Sequence, residues 1–265
     1  MAGTSSLVAG LLLYASSMLS GASAPKWNQW KNALVTAVAM LAFGNGCVVW
    51  AEQKVPSAIT ALILATEPAW LALLDWAFFR KTKPAPGVFA GIFIGFVGVG
   101  LLVGNGLSSV QAFPIFDASL ILAAAVAWSW GSLYCRQADL PNSSFLSIAM
   151  PLILGGAILL LIGLGAGEWR SLELSRVPAE AMAAFFYITF VSNAMTYAAY
   201  LWLLKNVSIT RVSTYAYVNP LVALVLGAWV AHERVTALTL AGAAAIGMSV
   251  AFILKFSTSY TTEAA

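Results

Sequence analysis

The chain has 265 residues, of which 61% are hydrophobic and 9% charged, with a net charge of +3 and a mean hydropathy of +0.87. About a quarter of a soluble domain is charged, so these charges cannot coat a water-facing surface, and the uncharged runs extend along the whole length without leaving a soluble half. The sequence is that of an integral membrane protein; its small net charge gives no basis for nucleic-acid binding, and the two cysteines, Cys47 and Cys135, supply neither a disulfide framework nor a four-ligand zinc site.

A hydrocarbon core about 30 Å thick is crossed by roughly 20 apolar residues in a helix, and only helices or closed barrels satisfy every backbone group there. The alternating polarity of barrel strands is missing, and nine apolar runs predict nine helices: α1 (5–20), α2 (33–50), α3 (56–79), α4 (87–104), α5 (118–135), α6 (144–167), α7 (181–204), α8 (212–231) and α9 (235–254). All but α1, which is short, and α3, which holds Glu67 and Asp75, are long and free of Asp, Glu, Lys and Arg. The small-x-small string Ala22-Ser23-Ala24 after α1 also reads as a signal-peptidase site, but no Lys or Arg precedes the run.

Basic residues set the topology. Nine lie on one side (Lys26, Lys31, Arg80, Lys81, Lys83, Arg136, Lys205, Arg211, Lys255) and four on the other (Lys54, Arg170, Arg176, Arg234). This places the C-terminus in the cytoplasm and, with nine helices, the first residue outside.

An offset of 152 residues lays 55–103 over 207–255 without a gap, Pro68 falling on Pro220 and Gly95 on Gly247. Helices α3 and α4 thus correspond to α8 and α9, α2 to α7 with Trp50 on Trp202, and α1 to α6, leaving α5 without a counterpart. A four-plus-five count implies a five-plus-five parent, with one helix lost ahead of Met1. A unit with an odd number of helices inserts its second copy upside down, giving an inverted repeat. The expected domains are a truncated first repeat (1–104), an external linker (105–117), a second repeat (118–257) and a cytoplasmic tail (258–265).

Gly44-Asn45-Gly46, Ala51-Glu52-Gln53, Val55-Pro56-Ser57, Ala65-Thr66-Glu67-Pro68, Leu73-Leu74-Asp75-Trp76, Trp130-Gly131-Ser132 and Ser213-Thr214-Tyr215-Ala216-Tyr217-Val218-Asn219-Pro220 resemble the drug/metabolite transporter superfamily, EamA family, in particular its YedA-like bacterial permeases. The resemblance covers nearly the whole chain. It implies an all-α inner-membrane exporter of small organic metabolites built as two helical repeats. Two departures stand out: the family's first helix is absent, and the acidic residue that often closes its fourth helix is replaced by Arg80-Lys81, whereas Glu233 keeps it in the second half.

The residues suggest where transport takes place. Glu67-Pro68 in α3 matches Asn219-Pro220 in α8, and interrupted helices at matching positions of inverted halves point to a midplane site. Glu67 is 11 residues into α3; burying it charged costs at least about 2.5 kcal/mol, so it must face a cavity, pair, or be protonated, or sit neutral in a bond to a neighbouring helix. Asp75 lies near the basic loop at Arg80, which explains it as a surface pair. Helix α7 carries Thr189, Asn193, Thr196, Tyr197 and Tyr200 at helical spacing along one face. Further candidates for the path are Asn45 (with Val49 and Glu52), Tyr215, and the deep aromatics Trp70 and Trp128, with Ser132 on the face of Trp128. Trp27, Trp30 and Trp169 are read as interface anchors, and Gly95, Gly98 and Gly100 as close-packing positions in a helix, not a nucleotide loop.

No P-loop or metal-ligand cluster occurs, and the single histidine, His232, sits in an outer turn beside Glu233, so neither ATP-driven transport nor an intramembrane hydrolase is supported. The expected protein is a secondary transporter exporting an amino acid or similar metabolite from the bacterial cytoplasm by alternating access. It needs no catalytic residue, metal or cofactor; its partners are membrane lipid and a small-molecule substrate, with a homodimer left open. The alternatives are a transport-incompetent fragment or partner-requiring subunit and, from another class, a membrane enzyme or receptor.

Overall fold

The computed structural model describes residues 2–55, 57–79, 83–107, 114–141, 143–167, 178–218, 222 and 237–257. Every regular element among them is helical, and five helices are long and apolar enough to cross a membrane: Ala2–Leu19 (α1), Trp27–Ala51 (α2), Ile115–Gln137 (α5), Phe145–Gly165 (α6) and Ala181–Asn206 (α7). Helices α4 (Pro86–Leu107) and α9 (Ala237–Ser257) are also largely apolar. Helix α3 is in pieces: Ser57–Leu64, a turn at Ala65 and Thr66, then Glu67–Leu74 running into a π-helical end, Asp75–Phe79. The described part of α8 is likewise interrupted, with Ile209–Val212 followed by a turn at Ser213 and Thr214 before helix resumes at Tyr215. Arg80, Lys81, Trp169, Arg170, Arg176, Asn219, Pro220, His232, Glu233 and Arg234 lie outside the described residues.

Contacts divide the chain into two compact units, Met1–Cys47 with Tyr134–Asn206, and Val48–Leu133 with Val207–Ala265. In the first, α1 lies along α6. Its buried face is made of Gly3, Ser5, Ser6, Ala9, Gly10 and Ser17, small residues that let backbones approach where lipid provides no hydrophobic drive for helix association. A Cβ on Gly3 would stand 2.7 Å from the Leu160 nitrogen, one on Gly10 2.8 Å from the Ile153 nitrogen, and one on Gly156 2.5 Å from the Leu7 nitrogen. Contacts that fall along α6 as they rise along α1 make the pair antiparallel. The buried hydroxyl of Ser17 donates to the Leu13 carbonyl (2.7 Å), which satisfies it within its own helix, while Leu11, Leu12 and Leu19 face outward as lipid-facing residues should.

The second unit repeats this arrangement with α4 and α9. Gly87 packs on Phe256, Gly91 on Ile253, Gly95 on Ser249 and Gly98 on Ile246, again antiparallel, and the Ser249 hydroxyl donates to the Gly91 carbonyl at 2.6 Å. Tyr217 of α8 is wedged against this pair. Its ring would lie 2.6 Å from a Cβ on Gly95, and its hydroxyl donates to the Ile92 carbonyl (3.2 Å). Ala65, Val99, Tyr217, Ile246 and Ile253 form the core there, and Ala51, Val55, Ile59 and Ile121 form a second one. Gly100 departs from expectation: nothing lies within 4 Å of its would-be Cβ, because it is on the far side of α4 from α9. Gly247, which the offset aligns with the tightly packed Gly95, is likewise open.

Each of these two helix pairs joins an element to its counterpart in the other half of the sequence. An element and its upside-down copy must run antiparallel, and both pairs do.

Candidate functional site

The turn that splits α3 leads straight into Glu67. Pro68 takes the first-turn position of the segment that follows, where its missing N–H leaves no extra group unsatisfied. Glu67 and Pro68 are both buried. The Tyr215 hydroxyl of α8 donates to the Glu67 carboxyl at 2.5 Å, the short distance of a strong O–H to carboxyl bond. On the same turn the Thr66 hydroxyl donates to the Ile63 carbonyl (2.6 Å), and the Trp70 indole N–H donates to the Thr66 hydroxyl (3.1 Å). Thr66 thus reaches the Ile63 carbonyl with both its hydroxyl and its backbone N–H (3.0 Å), which pins the turn, and it fixes the indole one turn beyond Glu67. The second unit therefore gathers Glu67, Pro68, Trp70 and Tyr215 around the interruption of α3.

Tyr215 and Tyr217 leave α8 in different directions and serve different ends, one meeting Glu67 and the other the α4–α9 pair. Tyr217→Phe is expected to lower stability by about 1 kcal/mol, the usual net value of one hydrogen bond, with transport per folded molecule unchanged. Tyr215→Phe is expected to lower transport at equal abundance. Thermal unfolding of both variants beside a transport assay checks the split.

On α5, Trp128 and Ser132 share a face as expected, the buried Ser132 hydroxyl donating to the Trp128 carbonyl at 2.7 Å. Farther out on this helix, Asp117 is buried and pairs with the more exposed Lys54 at 3.8 Å. Spacing gave no sign of that ion pair, whose partners come from two separate connections between the apolar runs.

In the first unit, α2 and α7 both change to π-helix in mid-course, over Ala37–Asn45 and Ile188–Thr196. Asn45 closes the first of these stretches and is half-buried. On α7, Thr189, Tyr197 and Tyr200 are buried. The half-buried Asn193 donates to the Ser5 hydroxyl of α1 (3.1 Å), and the Tyr197 hydroxyl lies 3.9 Å from the Met40 sulfur of α2. Thr196 does not share their face as α-helical spacing predicts. It is exposed, because π turns alter the period, and its hydroxyl donates five residues back to the Val191 carbonyl (2.9 Å). Asn219 and Pro220 lie outside the described residues. Among the described residues no three of His, Cys, Asp and Glu gather as a metal site.

Comparison with known proteins agrees with this architecture. The EamA-like transporter family matches residues 1–104 and 116–255. The chain is 34% identical over 238 residues to YedA of Escherichia coli (strain K12), an uncharacterized inner membrane transporter, covering 89% of this chain and 74% of that one. It is 21% identical over 252 residues to YvbV, an uncharacterized transporter of Bacillus subtilis (strain 168), covering 95% and 81%. A solved crystal structure superposes with a TM-score of 0.80 over 98% of this chain and 88% of its own, at 17% identity, which speaks for the fold alone. With two matched stretches spanning nearly all of its length, the chain belongs to the EamA family and is a membrane transporter, not an enzyme.

Proposed function

We propose that the protein exports a small organic metabolite, such as an amino acid, across the bacterial cytoplasmic membrane by alternating access, with Glu67, Trp70 and Tyr215 at the centre of the path and Asn45, Pro68, Trp128, Ser132, Asn193, Tyr197, Asn219 and Pro220 along it. The observation that carries this reading is a buried carboxyl at a helix interruption, held by a tyrosine hydroxyl from the corresponding helix of the other half. Interrupted helices in corresponding places of two inverted repeats are where secondary transporters bind; here α3 breaks at Ala65 and Thr66, and α8 breaks at Ser213 and Thr214, four residues short of the exact match. An ionisable group at that depth is costly unless it is used. The repeats are 1–104 and 118–257, with 105–117 as the outer linker and 258–265 as the inner tail.

The orientation rests on the nine-to-four division of basic residues, which puts the C-terminus and Lys83 in the cytoplasm and Glu173 outside. Single cysteines in a cysteine-free background test it: a membrane-impermeant maleimide added to intact cells is expected to label position 173 and spare position 83, and the reverse pattern overturns it. The function is tested in proteoliposomes loaded with a panel of amino acids and related metabolites. Efflux of at least one, above that of protein-free vesicles, is expected; no movement of any compound in either direction refutes the assignment.

A further inference from the structure

The two π-helical stretches of the first unit are not placed independently. At the 152-residue offset, Ala37–Asn45 of α2 falls on Ile188–Thr196 of α7 to within one residue, yet the sequences AVAMLAFGN and ITFVSNAMT have little in common. A π stretch is rare within an α-helix and frequently stands at a functional site. Recurrence at one place in both halves, on unlike residues, marks that place as mechanically important.

The same offset pairs Leu41 with Asn193, and each is a point where its π stretch meets a helix of the opposite half, α6 and α1 respectively. Leu41 sits on Gly155 of α6, its Cβ only 2.6 Å from where a Cβ on that glycine would be. Asn193 sits on α1 and donates to the Ser5 hydroxyl at 3.1 Å, and Ser5 in turn donates to the Ala2 carbonyl. One joint is thus made twice within this unit, once as an apolar seat on glycine and once as a hydrogen bond.

We propose that Leu41 and Asn193 are positioning residues of the transport cycle: the matched π turns are the points where α2 and α7 flex, and the Asn193–Ser5 bond holds one joint more firmly than its counterpart, setting which of the two states the empty transporter prefers. This rests on the alternating-access reading above. Inverted halves exchange roles when the path reopens on the other side, so identical joints would favour neither state. A hydrogen bond present in only one of them introduces a preference.

The test uses the full chain in nanodiscs, with spin labels on Trp27→Cys and Asn206→Cys, exposed positions near the ends of α2 and α7, in a background lacking the native cysteines. Two distance populations are expected. Ser5→Ala, which removes the acceptor with hardly any change of volume, and Asn193→Leu, which makes the two joints alike, are each expected to change their ratio by about threefold in the same direction, the effect of one hydrogen bond between membrane helices. Two populations with an unchanged ratio in Ser5→Ala overturn the proposal and leave alternating access standing. A single population in the parent protein, unmoved by any transported compound, removes both.

Discussion

Glu67→Leu is expected to reduce transport at least tenfold, a rise of about 1.4 kcal/mol or more in the rate-limiting barrier, and also to lower stability. The Tyr215 hydroxyl would lose the acceptor it now holds at 2.5 Å, and the net loss of one such hydrogen bond is about 0.5–1.5 kcal/mol. Glu67→Gln separates the two effects. Glutamine keeps a carbonyl oxygen for Tyr215 and nearly the same volume, so abundance and unfolding temperature should remain those of the parent. It cannot exchange a proton, however, so any dependence of flux on an imposed pH gradient should vanish. Flux measured in vesicles across a pH series, with and without the gradient, decides the matter. If Glu67→Gln retains the parent rate and its gradient response, Glu67 does not couple protons, and the carboxyl is a packed, neutral member of the α3–α8 contact. Facilitated export would then be the better description.

Gly156→Leu is expected to cause the largest loss of folded protein. Its Cβ would stand 2.5 Å from the Leu7 nitrogen, 2.9 Å from the Leu7 Cα and 2.9 Å from the Gly3 carbonyl oxygen. All three are backbone atoms, so no rotamer change relieves the clash and α1 must move away from α6. Overpacking a tight interior costs typically about 1–3 kcal/mol, and here it also removes close contacts that provide most of the attraction between membrane helices. Gly165→Leu, on the same helix but with nothing within 4 Å of its would-be Cβ, is the control and should express like the parent. Membrane abundance and unfolding temperature of the two variants check this; equal values would mean that the α1–α6 contact contributes little to stability.

Much of the fold was legible because its signals are local. Runs of uncharged residues locate the helices, and Glu67-Pro68 marks the break in α3, which occurs at the two residues before it. Small residues on α1 and α4 announce close packing, although the sequence could not distinguish Gly98, which meets Ile246, from Gly100, which meets nothing. The π turns left no mark, since AVAMLAFGN is ordinary apolar helix by composition. Their presence shifts the period of α7, and for that reason the polar face expected through Thr196 loses that residue. Of the candidate site, the residue types and the interruption were readable. The bond from Tyr215 to Glu67, across 148 residues of sequence, and the meeting of Asn193 with Ser5 across 188, are tertiary facts that no spacing rule contains.

The pairing of α1 with α6 and of α4 with α9 also sets a schedule for biogenesis. Helix α1 is made well before α6, so when it enters the bilayer the residues that cover Gly3 and Gly10, between Ala149 and Leu160, do not yet exist. At about 5–20 residues per second the ribosome needs on the order of 10 s to reach them. Throughout that interval α1 must wait among lipids or insertion factors with its glycine and serine face uncovered, and α4 undergoes the same delay before α9 arrives. The interleaving of early and late helices therefore makes the nascent chain dependent on its second half, and a ribosome stalled before α6 would leave both α1 and α4 without these counterparts.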